Sequence, residues 1–161
     1  MDAIFNQFPL FANLSTRQSL LVQSLFVCKQ YPSEVVIFEQ GDRAEYLYLV
    51  VDGEVSIRFK PDDAPEINVS QIQPGDVFGW SAAFGSGRYT SGAVCTQDSA
   101  LLRVRGDDLR ELCQKHPETG ILILKRLAEL VAQRMNCENR HAQVVALLEH
   151  ALENGVKPIG G

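Results

Sequence analysis

Apolar and polar residues follow two different patterns along this chain. Through its middle, short runs rich in β-branched and aromatic residues are separated by turn residues, and six runs predict strands at 35–38, 46–51, 54–59, 67–72, 93–95 and 101–104. Asp52-Gly53 favours a two-residue turn because both central positions need a positive φ, so we predict that the strands on either side are antiparallel neighbours. Many short strands separated by turns are typical of a β-sandwich, jelly roll or barrel.

Helical signals flank this β region. Residues 15–18, Ser-Thr-Arg-Gln, fit a capping box and predict a short helix near the N-terminus. After position 105 the apolar period becomes helical, and the acidic pair Asp107 and Asp108 suits the positive end of a helix. His116 precedes Pro117, which ends this helix and fits the first position of the next one.

The last helix is apolar on two sides. One stripe at helical spacing consists of Ile121, Leu124, Ala128, Val131 and Met135, and a second consists of Ile123, Leu127 and Leu130. Two stripes need two burial partners: the β domain, and either a symmetry mate or a further helix of the same chain. We therefore expect a homodimer built on the first stripe. The polar run at 136–141 predicts a bend, with a separate helix at 142–152.

Composition and charge narrow the class of protein. The chain has 161 residues, 45% of them hydrophobic, and a net charge of -5, which is typical of one soluble domain. The acidic balance disfavours non-specific binding to nucleic acid or to an anionic membrane. No apolar run reaches the roughly 18 residues of a membrane span and the N-terminus does not resemble a signal peptide, so we expect a cytoplasmic protein. Too few residues follow Met135 for a helix-turn-helix unit, so direct DNA binding is not expected.

The sequence lacks catalytic and metal-binding patterns. Its cysteines and histidines are widely spaced and form no C-x-x-C pair, so no metal site is predicted. It has no P-loop, no HExxH motif and no nucleophile elbow. We therefore predict that the protein is not an enzyme.

The segment at 74–94, called the cassette segment below, is rich in glycine and hydroxyl side chains. Gly79 permits a close backbone approach, and Ser81 is placed to open a helical turn whose amides face an anion. Further donors are Arg88, Thr90 and Ser91. These groups make the segment a candidate phosphate cradle. A loop of this composition also serves simply to turn the chain, and both interpretations stay open at this point.

The order of these features resembles the cyclic-nucleotide-binding domain family, which includes catabolite-activator-type bacterial regulators and the regulatory subunits of cAMP-dependent kinases. The matching motifs extend over about residues 8–135 and are Phe8-Pro9-Leu10-Phe11, the Leu20 helix, Phe38-Glu39-Gln40-Gly41-Asp42, Tyr46-Leu47-Tyr48-Leu49-Val50 with Gly53, Pro74-Gly75-Asp76-Val77-Phe78-Gly79, and the helix after Pro117. Each motif is short, but their order together is specific.

This resemblance implies a mostly β fold with flanking helices, a double-stranded β-helix or jelly-roll β-roll. It implies a regulatory sensor for a cyclic nucleotide, cAMP or cGMP, or for another anionic small molecule. It divides the chain into a roll with its N-terminal helix at 1–116, one or more dimerisation helices at 117–154 and a tail at 155–161. The ligand-binding residues it implies are Gly79, Trp80, Ser81, Ala82, Arg88, Tyr89, Thr90 and Ser91.

The cassette segment departs from the family at both anchors of the nucleotide. Members that bind cyclic nucleotides carry Glu after the Phe-Gly pair to hold the ribose 2′-hydroxyl, and Arg four residues before the closing Val to pair with the phosphate. Here these positions are Trp80 and Thr90. Trp80 either faces the cavity, as a stacking surface or plug, or lies in the core. Arg88 either reaches the phosphate through a rerouted loop or is solvated.

Two functions follow from these departures. The first is a sensor domain with altered or lost cAMP affinity. The alternative is a binding-deficient module for protein interaction and dimerisation.

Overall fold

The structure, a computed structural model, describes residues 2–61, 65–84 and 87–137. Its helices are α1 (Asp2–Phe5), a 3-10 helix (Pro9–Phe11), α2 (Thr16–Gln23), α3 (Ser81–Phe84), α4 (Gly106–Lys115) and α5 (Pro117–Cys137). Its strands are β1 (Val27–Tyr31), β2 (Val36–Phe38), β3 (Tyr46–Asp52), β4 (Val55–Phe59), β5 (Ile67–Ile72), β6 (Val77–Phe78), β7 (Gly92–Cys95) and β8 (Ser99–Arg105).

The eight strands of the described part form two antiparallel sheets, in the orders β1-β8-β3-β6 and β2-β7-β4-β5. Side chains of β3 alternate between two cores because successive residues of a strand point to opposite faces. Leu47 and Leu49 lie in the helix-side core, which joins the first sheet to the helices. Tyr48 and Val50 lie in the roll core, which joins the two sheets. This arrangement confirms the mostly β, jelly-roll fold class.

Six of these strands correspond to the predicted ones, and β5 coincides with the predicted range 67–72. The sequence pattern does not predict β1 or β6.

The predicted pairing across Asp52-Gly53 is wrong. The turn has the expected positive φ, 95° at Gly53, but it carries the chain from the first sheet to the second. β3 is hydrogen-bonded to β8 on one edge and to β6 on the other, so it has no free edge for β4. A Cβ at Gly53 would also lie 2.2 Å from Oγ of Ser99, so the crossing requires glycine.

The helix signals at residues 15–18, 107–108 and 116–117 are confirmed. The Ser15 hydroxyl accepts a hydrogen bond from the Gln18 amide, and the Gln18 side chain accepts one from the Ser15 amide, each at 3.1 Å. This is the reciprocal capping box at the start of α2. α4 ends at Lys115 and α5 begins at Pro117, where the proline signal places them.

The two apolar stripes of α5 have different surroundings. Ile123 and Leu127 are fully buried in the helix-side core. On the other stripe, Ile121 is 62% exposed and Ala128 is also exposed. One stripe therefore covers the β domain, whereas the other presents apolar surface outward.

The rest of the exposed stripe lies closer to the domain. Leu124 and Val131 are half-buried against the helix-side core. The side chain of Met135 lies outside the described residues, as do positions 138–161 with the predicted helix at 142–152. Within the described ranges, none of the helices is long and apolar enough to cross a bilayer.

Candidate ligand-binding site

Within the cassette segment, Gly79 directly follows β6. The φ of Gly79 is 74°, in the left-handed region that favours glycine. A Cβ there would lie 3.1 Å from the carbonyl oxygen of Tyr46 and 3.2 Å from the ring of Tyr48. The backbone therefore passes β3 at a distance that leaves little room for a side chain.

Trp80 turns away from the roll. Its side chain is half-buried and packs against the helix-side core, as does that of Ala83. Ala82, two residues after Trp80 in the chain, is 3% exposed and belongs to the roll core, not to the helix-side core. The short helix α3 thus separates the two cores, and the Trp80 side chain lies on the helix side.

The amides of α3 are less available than the sequence indicates. Ser81 begins the helix as expected, but the amide of Ala82 donates to the carbonyl of Gly79 at 3.3 Å and that of Ala83 donates to Trp80 at 3.0 Å. The expectation of free, anion-facing amides is therefore wrong for Ala82 and Ala83. The guanidinium of Arg110 also donates to the Ala82 carbonyl at 3.1 Å, which ties α3 to α4.

Tyr89 lies inside the roll core and is 5% exposed. Its ring stacks on Phe38, with centroids 3.6 Å apart and planes 9° apart. Its hydroxyl donates to the Tyr46 carbonyl at 2.6 Å and accepts from the Tyr46 amide at 3.1 Å. Burial raises the pKa of Tyr89, although the hydrogen bond to the Tyr46 backbone opposes this shift. Burial also raises the pKa of Tyr48 far above its usual value, and the neighbouring Tyr89 adds to that shift.

Backbone hydrogen bonds join residues 87–89 of the cassette segment to the loop between β2 and β3. The Gly41 amide donates to the Tyr89 carbonyl at 2.8 Å, and the Tyr89 amide donates to the Asp42 carbonyl at 2.9 Å. The Ala44 amide donates to the Gly87 carbonyl at 2.7 Å. The exposed Arg88 adds a bond from its guanidinium to the Gly41 carbonyl at 3.0 Å. The loop is therefore held closed along its backbone.

The structure brings only some of the sequence-predicted residues together. Gly79 and Tyr89 meet at the backbone of Tyr46, whereas Trp80 and Arg88 contact different parts of the protein.

Thr90 and Ser91 lie just before β7. Thr90 is exposed and Ser91 is half-buried.

Sequence reasoning missed the residues that hold Tyr89. The period of β3 places Tyr46 and Tyr48 on one face, but it does not say that Phe38 of another sheet lies opposite. It also missed Arg103 of β8, whose guanidinium carbon lies 4.3 Å from the ring centroid of Tyr46. Aromatic residues at alternate positions of a strand were the available signal.

Two open grooves of about 480 and 410 Å³ lie outside residues 79–91. The larger one separates the start of α2 from the corner between α4 and α5. The smaller one lies at the end of β4, beside Arg58 and Glu66. Neither of these grooves includes the predicted ligand-binding residues.

Comparison with known proteins agrees with this architecture. The cyclic nucleotide-binding domain family matches residues 28–116. Over 127 residues the chain is 32% identical to the cyclic AMP receptor protein of Thermus thermophilus, covering 79% of this chain and 57% of that protein. Over 78 residues it is 32% identical to the cAMP-dependent protein kinase type II regulatory subunit of Drosophila melanogaster, covering 48% of this chain and 20% of that protein.

A solved structure of a similar protein has the same fold. A crystal structure described as a cyclic nucleotide-binding protein, from Geobacter metallireducens, has a TM-score of 0.72 and 25% identity, and the match covers 83% of this chain and 96% of that one. The chain spans about half the length of the cyclic AMP receptor proteins it matches. The chain has two sheets closed into a roll, helices packed over one of these sheets, and the cassette segment. Together with the matching structure, these features define a regulatory, sensor-type domain. The chain belongs to the cyclic nucleotide-binding domain family.

Proposed function

We propose that this protein is a non-catalytic sensor domain whose cyclic-nucleotide site has lost its usual anchors. Its affinity for cAMP is strongly reduced, or is replaced by affinity for another anionic small molecule. The observation that carries the proposal is the position of Trp80, whose side chain packs against the helix-side core. An indole has a donor but no acceptor, so it does not replace a carboxylate that holds a ribose hydroxyl.

The phosphate anchor supports the same conclusion. Thr90 stands where the family pattern has arginine, and its side chain carries no charge. A hydrogen bond to a charged group contributes about 1.5–3 kcal/mol, so the loss of two such anchors weakens binding by roughly two orders of magnitude or more. Arg88 does not substitute for it in this arrangement, because its guanidinium is bonded to the Gly41 carbonyl at the surface.

Calorimetric titration with cAMP and cGMP tests this proposal. We expect little or no heat from the wild-type protein and clear cAMP binding by the double variant Trp80→Glu with Thr90→Arg. The matched control is Trp80→Gln with Thr90→Gln, which has side chains of similar reach but no charge, and should not bind.

Two results would contradict the proposal. One is micromolar cAMP binding by the wild type, and the other is a folded Glu/Arg variant that gives no heat. Because Trp80 contributes to the helix-side core, Trp80→Glu lowers stability. Thr90→Arg alone, at an exposed position, is the fallback and should give weak but measurable binding.

The protein acts as a homodimer in this proposal. Ile121 is 62% exposed while Ile123, two residues on, is fully buried, so α5 has an apolar face directed away from its own domain. A second copy of that face would remove this surface from water. An effector then acts by binding more tightly to one arrangement of α5 than to another.

The same exposed face favours a second candidate function, an interaction and dimerisation module that binds no effector. Ligand at a hundred times its dissociation constant adds about 2.7 kcal/mol, or roughly 5–11 °C in Tm for a chain of this size. If millimolar cAMP, cGMP and cyclic dinucleotides leave Tm unchanged while the dimer persists, the module without a nucleotide effector is the better description.

A further inference from the structure

A side chain of the cassette segment forms part of the core of the roll. Tyr89 is 5% exposed, whereas its neighbours Arg88 and Thr90 are exposed. Its ring lies flat on Phe38 at 3.6 Å. The Tyr89 ring therefore fills space between the loop and the sheets of the roll.

Every polar group of Tyr89 is engaged in this closed arrangement. Its amide donates to Asp42 and its carbonyl accepts from Gly41. Its hydroxyl binds both the carbonyl and the amide of Tyr46. The Tyr89 amide is therefore not available to an anion, and the phenol replaces a partner that the Tyr46 backbone would otherwise need.

We propose that Tyr89 determines the ligand specificity of this domain by closing the roll against nucleotide-sized ligands, and that such a ligand enters only when the phenol leaves its place between Phe38 and Tyr46. This inference rests on the proposed function, because it concerns the same site. It adds a steric cause to the loss of the two charged anchors. Restoring the anchors alone then gives only part of the affinity for cAMP.

Addition of Tyr89→Ala to the Trp80→Glu, Thr90→Arg variant tests the proposal. We expect the dissociation constant for cAMP, measured by calorimetry, to fall by about tenfold or more relative to the double variant. The matched control adds Phe26→Ala instead. Phe26 is a buried aromatic residue, 3% exposed, that makes edge contacts with Phe5 and Phe11 in the helix-side core. It is not part of the roll core that holds Tyr89, so its removal should leave cAMP affinity unchanged.

A second variant covers the case in which Tyr89→Ala does not fold. Tyr89→Phe keeps the ring on Phe38 but removes both hydrogen bonds of the hydroxyl to Tyr46. It therefore weakens the attachment of the loop to β3 without leaving a cavity. In the same double-variant background we expect it to lower the dissociation constant by about threefold, in the direction of Tyr89→Ala.

The outcomes separate this inference from the proposed function. If the double variant binds cAMP as tightly as both Tyr89 derivatives, the anchors alone explain the affinity and the role of Tyr89 is refuted, while the proposed function stands. If no folded variant binds cAMP, both are refuted. A gain from Phe26→Ala equal to that from Tyr89→Ala would also overturn the inference, because it would reflect a general loosening of the domain.

Discussion

Arg126 joins the middle of α5 to the N-terminal part of the chain. One nitrogen of its guanidinium donates to the carbonyl of Leu10 at 3.0 Å and to that of Ala12 at 2.6 Å. These carbonyls belong to the 3-10 helix and its cap. Replacing Arg126 with methionine keeps most of the aliphatic stem but removes both bonds, so it tests how firmly α5 is attached to this region.

The size of the effect follows from the exposure of the two bonds. The bond to Leu10 is partly buried, whereas that to Ala12 is exposed. Hydrogen bonds to charged groups contribute about 1.5–3 kcal/mol, and exposed ones less, so we expect a loss of about 2 kcal/mol for Arg126→Met. For a chain of this length, that corresponds to a fall in Tm of about 4–8 °C.

Differential scanning calorimetry of Arg126→Met and Lys125→Met measures this loss directly. Lys125 is the exposed neighbour on the same helix, so the control removes a similar side chain and the same charge without a bond to the N-terminal part. Exchange of the backbone amide hydrogens of residues 10–12 should also become faster in Arg126→Met alone. A Tm within about 1 °C of the Lys125→Met value would refute the reasoning.

Three further predictions concern the dimer, pH and packing. The pair Ile121→Glu and Ala128→Glu should give monomers by light scattering, because both residues are exposed and the substitutions place charge on the outward face of α5. A wild type that is already monomeric removes the premise. Because the pKa of Tyr89 is raised on folding, the unfolded chain loses that proton first, near pH 10, and urea midpoints should fall as the pH rises above about 10. Tyr89→Phe should reduce this fall, and equal slopes for the two proteins would contradict the assignment. Gly106→Ala should lower the free energy of unfolding, measured in urea, by roughly 1–3 kcal/mol, because its Cβ would lie 2.1 Å from the carbonyl oxygen of Ala82. Helix propensity alone predicts the opposite sign. An unchanged urea midpoint would contradict this steric argument and show that α3 moves to make room.

The strands that the sequence predicts are those with strong apolar periodicity. β1 is missed because it lies at the edge of its sheet and pairs only with β8, so three of its residues, Val27, Lys29 and Gln30, are exposed and leave no clear alternation. β6 is missed because it has only two residues. The hairpin at Asp52-Gly53 fails for another reason: a turn signal fixes the local backbone, but the edges already occupied by β8 and β6 decide where the next strand goes.

The candidate site shows the same division. The sequence locates the cassette segment, and its resemblance to the family predicts that Trp80 and Thr90 stand where nucleotide-binding members carry charged anchors, because residue identity and spacing are local properties. It also determines the two apolar stripes of α5, since helical periodicity is a property of a single element. Only the tertiary structure decides that the Trp80 indole lies against the helices while Tyr89 enters the roll. These directions depend on which distant side chain, such as Phe38, lies across the sheet, and contacts between residues far apart in the chain exist only once both sheets have closed.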